Sequence, residues 1–495
     1  MQTRLKFFMT FLTSSMLFFS SCKKETIEEP KEQLKEQNKE QPEPEEKELD
    51  EREIQFNKLT RVNVVIEGEE SVGDALIRVI EINGSDKAYV LPVGDYLVSK
   101  AILLPKVNNI AIIGSLDDNK KTIVRTNATE MRTSNFASRS GVFICQGNNI
   151  DFRNFTIDGG HSFATDKESP RLNYACVNTY GGEDMNAENM RFLNATFGFC
   201  SPANGTWGFQ ASGLPIHGIR VVNSDFMNIG RGVMFNRGWS RKRYDVQVGN
   251  VRSMKKIYIA GNTFSGTMYA GITIDAGNDG SDGASFLRDK PGSDIAKGVV
   301  VDFNNSVIEN NTFNAAQRYN LAFAKVSHFI VRNNTFKGNT TVNFDGTTNT
   351  FARSLNIEHE SNNIEVLNNT FDAPVRTDAE IKKLQNRHIF AVTFTDYGNS
   401  GLPENGVSDI KIVNNTFKGS VEVVILGSET TNFTIDRNHF KTKGVSFDIH
   451  LRRAFNKDPK FRRGNINEKI TNNTPVGSIF ARIEKPNNIN KEVTF

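Results

Sequence analysis

Asp275 closes the apolar run Ile272-Thr273-Ile274 and opens a loop reading Ala276-Gly277-Asn278-Asp279-Gly280-Ser281-Asp282-Gly283. A carboxylate at the end of a strand is held by a rigid element while standing at a loop, where reacting groups usually sit. Asp345 ends a similar run, Thr341-Val342-Asn343-Phe344. Glu358-His359-Glu360 follows; on an extended segment the two glutamates share one face and His359 opposes them. Close carboxylates raise the pKa of at least one member, which suits acid–base work. Two carboxylates across a cleft, about 6.5–9.5 Å apart, are what an inverting glycoside hydrolase uses. A lyase acting on uronic acids needs instead a base, for which Lys325, Tyr244 or His359 would serve, and a cation such as Arg243 against the substrate carboxylate. Both mechanisms stay open, and an ordinary charged loop is the bland alternative for each group.

Binding chemistry gathers nearby. Arg237, Trp239, Arg241, Lys242, Arg243 and Tyr244 put four cations and two aromatic rings within eight residues, with Arg231 and Asn236 just upstream. Guanidiniums and rings together suit a sugar polymer carrying carboxylates or sulfates. Asp396 ends another strand-like run. Asp275, Asp279 and Asp282 alternate oxygen ligands with glycines and could hold Ca2+, although the terminal Glu of an EF-hand is missing.

These groups need a frame that lines them up. Downstream of Gly141 one unit recurs as KIYIAGNTFSG, NSVIENNTFNA, HFIVRNNTFKG, NIEVLNNTFDA and DIKIVNNTFKG. Phe313 to Phe336 and Phe417 to Phe440 are each 23 residues apart, and Phe371 to Phe417 is 46. A period near 23 is about one turn of a three-sided parallel β-coil. Such a coil stacks its Phe side chains inside and its Asn side chains as a hydrogen-bonded ladder. A second strand follows each unit, and its ends form a column: Asn178, Asn236, Asp275, Lys325, Asp345 and Asp396. Residues 237–255, 276–298, 346–361 and 397–408 leave just after this column as long loops, whereas 374–388 leaves from the preceding corner. By this alignment Asp275 and Asp345 are two coils apart, or about 9.6 Å. His328, near a strand end, reads as structural.

The opening of the folded part, Val90-Leu91-Pro92-Val93-Gly94-Asp95-Tyr96 and then Asn108-Asn109-Ile110-Ala111-Ile112-Ile113-Gly114, resembles the pectate-lyase-like right-handed parallel β-helix family. The resemblance implies an all-β, single-stranded coil whose N-terminal end is capped by a helix. Ser71 as N-cap and the apolar pattern from Ala75 to Ile80 fit that helix. The family holds hydrolases and lyases. This chain lacks the Gly-His-Gly and Arg-Ile-Lys signatures of polygalacturonases, and no close match to pectate- or alginate-lyase motifs is present.

The ends give an address. Arg4 and Lys6 precede an apolar stretch and Ser20-Ser21-Cys22, a pattern that resembles a bacterial lipoprotein signal with Cys22 lipidated. Residues 23–53 hold 13 acidic and 7 basic side chains and almost nothing apolar, so they make a solvated tether. With the leader at +2 and the tether at −6, the remainder of a chain of net charge +3 carries +7. Lys23-Lys24-Glu25 resembles the export signal of Bacteroidetes-type surface lipoproteins. The expected organisation is a signal peptide over 1–22, a linker over 23–54, the β-helix over 55–455 and a C-terminal cap over 456–495. Cys145, Cys176 and Cys200 lack metal-ligand spacing and read as buried thiols. The expected function is cleavage of a polysaccharide, an acidic one by preference, by an outer-membrane-anchored monomer; the rival is a non-catalytic glycan-binding or adhesive protein. Nucleic acid is a poor partner for such an address.

Overall fold

The computed structural model describes residues 52–117, 119–127, 141–160, 175–179, 183–201, 218–236, 256–266, 268–275, 301–314, 316–324, 326–338, 352–358, 361–375, 377, 379, 389–395, 407–419, 421–428, 430–442, 447–452, 466–475, 481–483 and 491–493. Met1–Ile54 and Gln55–Phe495 form separate units. The second is a right-handed parallel β-helix, the hand that parallel connections of L-residues take.

Its strands form three faces. The first is a 14-stranded parallel sheet from Thr60–Asn63 to Lys491–Val493. The second and third faces are joined where Arg191–Ser201 and Asp225–Asn236 run through the corner unbroken. Helix α1, Val72–Asn83, covers the N-terminal end. The Ser71 hydroxyl accepts from the Asp74 N–H at 3.1 Å, and Ala75, Leu76, Val79 and Ile80 are buried. This cap removes the open end of the coil from water, as the sequence led us to expect.

The motif x-Asn-Asn-Thr-Phe is explained residue by residue. Its first Asn takes the left-handed corner, with φ of 55° at Asn310, 57° at Asn333, 56° at Asn368 and 56° at Asn414. Among side-chain-bearing residues Asn adopts that region at low cost. His328, φ 57°, fills the equivalent place at the other end of a first-sheet strand. The second Asn is buried and joins a ladder through Asn262, Asn311, Asn334, Asn369, Asn415, Asn438 and Asn473, each amide donating to the next carbonyl oxygen at 2.9 to 3.1 Å. Thr faces outward. Phe points in: Phe192, Phe226, Phe264, Phe313, Phe336, Phe371, Phe417 and Phe440 stack with centroids 4.7 to 5.1 Å apart.

Two expectations about register are corrected. Phe371 and Phe417 are direct neighbours, so their 46-residue interval is one enlarged coil. The third-face strand that follows Thr335–Phe336 is Ala352–Glu358, not the run ending at Asp345. Both runs alternate apolar and polar residues, so local pattern does not choose between them. Pairing does, because Leu355 and Ile357 continue the inward column of Leu321 and Phe323.

Candidate functional site

The outer side of the third face carries two buried apolar clusters: Ala175, Phe197, Cys200 and Met234 form one, and Phe390, Val423 and Leu426 the other. Between these apolar ends lies a polar stretch with Thr273, Asn356, Thr393 and Arg353, all buried. The strands of this stretch are Ala270–Asp275, Tyr319–Ala324, Ala352–Glu358 and Ile389–Thr395. The long connections leave from both edges of this face. Residues 237–255 and 276–300 follow its strands, whereas 339–351 and the stretch before Ile389 precede them. The expected loop over 346–361 is thereby corrected, since Ala352–Glu358 within it is strand.

Register assigns the column at the strand ends. Asn236 pairs with Asp275, Asp275 with Ala324, Ala324 with Glu358, and Glu358 with Thr395. Glu358 therefore holds the level expected of Asp345, two coils from Asp275, or about 9.6 Å. Asn178 pairs with Cys200 and so lies two positions before the Asp275 level. At that level the register places Ala324 and Thr395 where Lys325 and Asp396 were expected. Between the two carboxylate positions stands Ala324, with Ala322 beside it at the level of Thr273 and Asn356. Both alanines are buried, with polar residues at the same levels on the coils either side.

Glu358 is fixed from behind. The Ser361 hydroxyl donates to its carbonyl oxygen at 2.7 Å, and Ser361 is itself buried in the corner. Arg353 lies 4.0 Å from the Glu358 carboxylate and donates to Asn356 Oδ1 at 2.6 Å. Thr393 donates to the same oxygen at 2.7 Å. Asn356 Nδ2, fully buried, has no hydrogen-bond partner among the described residues. A buried amide left so costs about 1–3 kcal/mol unless something completes it, which suits a face that receives a ligand.

The other edge of the stretch carries Tyr319, whose phenol is pushed up mainly by burial. Glu358 adds to that shift, and Arg318 and Arg353 oppose it. Arg318 is held above its ordinary value: burial works against its charge, and the Tyr319 and Tyr269 oxygens outweigh burial.

Of the residues the sequence singled out, Glu358 and Arg231 are described in full, and Asp275 and Asn236 by their backbone pairing. Asp345, His359, Lys325, Arg237, Trp239, Arg241, Arg243, Tyr244, Asp279, Asp282, Asp396 and Cys22 lie outside the described residues. Sequence reading missed Tyr269, Arg318, Tyr319, Arg353 and Asn356. The signal was present as a basic or aromatic residue at the start of successive third-face strands, but it needed the correct register. Cys145, Cys176 and Cys200 are buried thiols, all pushed up by burial. Among the described residues no group of three or more metal-ligating side chains converges.

No protein-family profile and no curated protein matches the chain. Among solved structures it is similar to the A-module of mannuronan C-5 epimerase AlgE6 from Azotobacter vinelandii, at 12% identity over 86% of this chain and 100% of that one, TM-score 0.38. It is also similar to DFA-IIIase from Arthrobacter chlorophenolicus A6 without its lid, at 11% identity over 83% and 98%, TM-score 0.48. A third is PfbA, a surface adhesin of Streptococcus pneumoniae, at 13% identity over 84% and 89%, TM-score 0.43.

Proposed function

We propose that the protein is a carbohydrate-active enzyme that hydrolyses a polysaccharide laid on the outer side of the third face. The observation that carries this reading is the register Asp275–Ala324–Glu358, two carboxylate-bearing positions flanking an alanine. At about 9.6 Å between backbones, side chains of this length reach the separation an inverting pair needs. One carboxyl delivers its proton to the glycosidic oxygen as the C–O bond breaks. The other takes a proton from the water that adds to the anomeric carbon from the opposite side. Arg353 and Ser361 position Glu358 for its part.

The leader and tether support a place outside the cell. Cys22 would carry the lipid that anchors the chain to the outer membrane, and residues 23–53 would hold the coil clear of it.

Reducing-end release and ultraviolet absorbance, measured on a panel of acidic and neutral glycans, test the reading. Hydrolysis gives new reducing ends without an absorbing product, and Asp275→Asn or Glu358→Gln abolishes it. An unsaturated product would point to a lyase. Retention of a glycan with no turnover would favour a binding protein.

A further inference from the structure

At the edge where the third-face strands begin, Arg231, Tyr269, Arg318, Tyr319 and Arg353 form a row along the coil axis. Arg231 is in register with Ala270, Ala270 with Tyr319, and Tyr319 with Arg353. Tyr269 and Arg318 sit one residue earlier, and backbone hydrogen bonds continue the row: Tyr269 N–H to the Gly230 carbonyl, Arg318 N–H to that of Tyr269, and Arg353 N–H to that of Arg318.

Cations and rings alternate. Arg231 lies 5.3 Å from the Tyr269 ring centre, and Arg318 lies 5.7 Å from Tyr269 and 5.2 Å from Tyr319. Arg318 also donates to both phenol oxygens, at 3.1 Å to Tyr319 and in a short contact to Tyr269. Ring faces and phenol oxygens hold a guanidinium in a fixed orientation. Arg318 is exposed and Arg231 half-buried, so both guanidinium-bearing residues reach the surface. Arg353, 2% exposed, ties the row through Asn356 to Glu358.

We propose that this row is an anion-recognition track: Arg231 and Arg318 take carboxylate or sulfate groups of a glycan lying along the coil axis, and Tyr269 and Tyr319 take its sugar faces. The proposal rests on the reading that the third face is the glycan site. A coil rises about 4.8 Å, close to the length of one sugar ring, so successive coils meet successive sugar units. Arg231 and Arg318 are two coils apart, the same interval as Asp275 and Glu358, which matches a polymer charged on at least every second unit. The guanidinium fork binds either anion through two parallel hydrogen bonds. Arg353 is a positioning residue that links recognition to the carboxylate pair.

Affinity electrophoresis of the folded protein tests this in gels containing polygalacturonate, alginate, hyaluronan, chondroitin sulfate or dextran sulfate, and in xylan, starch or dextran gels as neutral arms. We expect retention by at least one anionic polymer, weakened by salt, with no retention by the neutral ones. Comparing the carboxylated with the sulfated arms identifies the anion. Arg318→Gln weakens retention about tenfold or more, and Arg231→Gln acts in the same direction. Tyr269→Phe removes only the phenol that holds Arg318 and weakens retention severalfold; it serves where Arg318→Gln fails to fold. Retention by neutral glycans alone, by none of the panel, or undiminished in all three variants overturns the track. Anionic retention that depends on Arg318, with no turnover by the parent, leaves the track standing and the hydrolase reading fallen. Release of reducing ends from neutral glycans alone does the reverse.

Discussion

Two buried amides on neighbouring coils have opposite fates. Asn369, in the corner ladder, accepts from the N–H and the side-chain amide of Asn334 at 2.9 and 3.0 Å, and its own amide donates to Val331, Leu367 and Asn415. Asn356, on the outer side of the third face, is equally buried, yet its Nδ2 has no partner among the described residues. The ladder amide uses its polar capacity to hold the coil together. The third-face amide leaves a donor incompletely satisfied, which is the condition of a surface made to be completed by something else.

The contrast can be broken by substitution. Phe336, stacked at 4.8 Å on Phe313 and 4.7 Å on Phe371, belongs to the self-sufficient side. Phe336→Ala is expected to cost about 3–5 kcal/mol in denaturant unfolding, with the activity of the folded fraction unchanged. Glu358→Gln should behave oppositely. Turnover falls by about 10²–10⁴-fold while the unfolding midpoint stays near that of the parent. A midpoint that drops as far as that of Phe336→Ala would erase the distinction.

Polar substitutions sharpen it. Asn369→Ala strips acceptors and donors from both ladder neighbours and should cost about 2–3 kcal/mol. Thr393→Val removes the single described donor bond from Thr393 to Asn356 and should cost about 1 kcal/mol. Equal losses in calorimetry would show that the third face is as tightly committed to stability as the corner.

The smallest effect is at Asp436, on the first sheet. Burial works against its charge, but hydrogen bonds from Thr471, Asn472 and Arg437 at 2.7, 3.0 and 2.8 Å outweigh that and hold the carboxyl below its ordinary range. The stabilisation is therefore present at neutral pH and lost as pH falls through that lowered value. Asp436→Asn is expected to be less stable than the parent at neutral pH, with the gap closing in acid. A gap that does not change with pH would mean that the carboxyl titrates alike in the folded and unfolded chain.

Much of the fold was legible because its rules are local. A left-handed corner wants Asn or Gly, the next Asn reaches its copy one coil away, and Phe fills the same interior slot each time. The site was legible only in part. Asp275 stood out as a carboxylate at a strand end and Glu358 as one of two close carboxylates in an expected loop, but Asp345 was paired with Asp275 because its run alternates as well as the true strand does. The same error hid one end of the arginine–tyrosine row, since the misplaced strand removes Arg353 from an edge that also carries Arg231, Tyr269, Arg318 and Tyr319.

By itself the sequence determined the coil, its helical cap, the Phe stack and the Asn ladder. Each depends on a residue's own conformational preference or on an identical neighbour one period away. Only the tertiary structure decided which carboxylate lies two coils from Asp275 and which cations share an edge. Those relations join residues on different coils through insertions of unequal length, and register across such insertions is set by packing of the whole stack rather than by any local pattern.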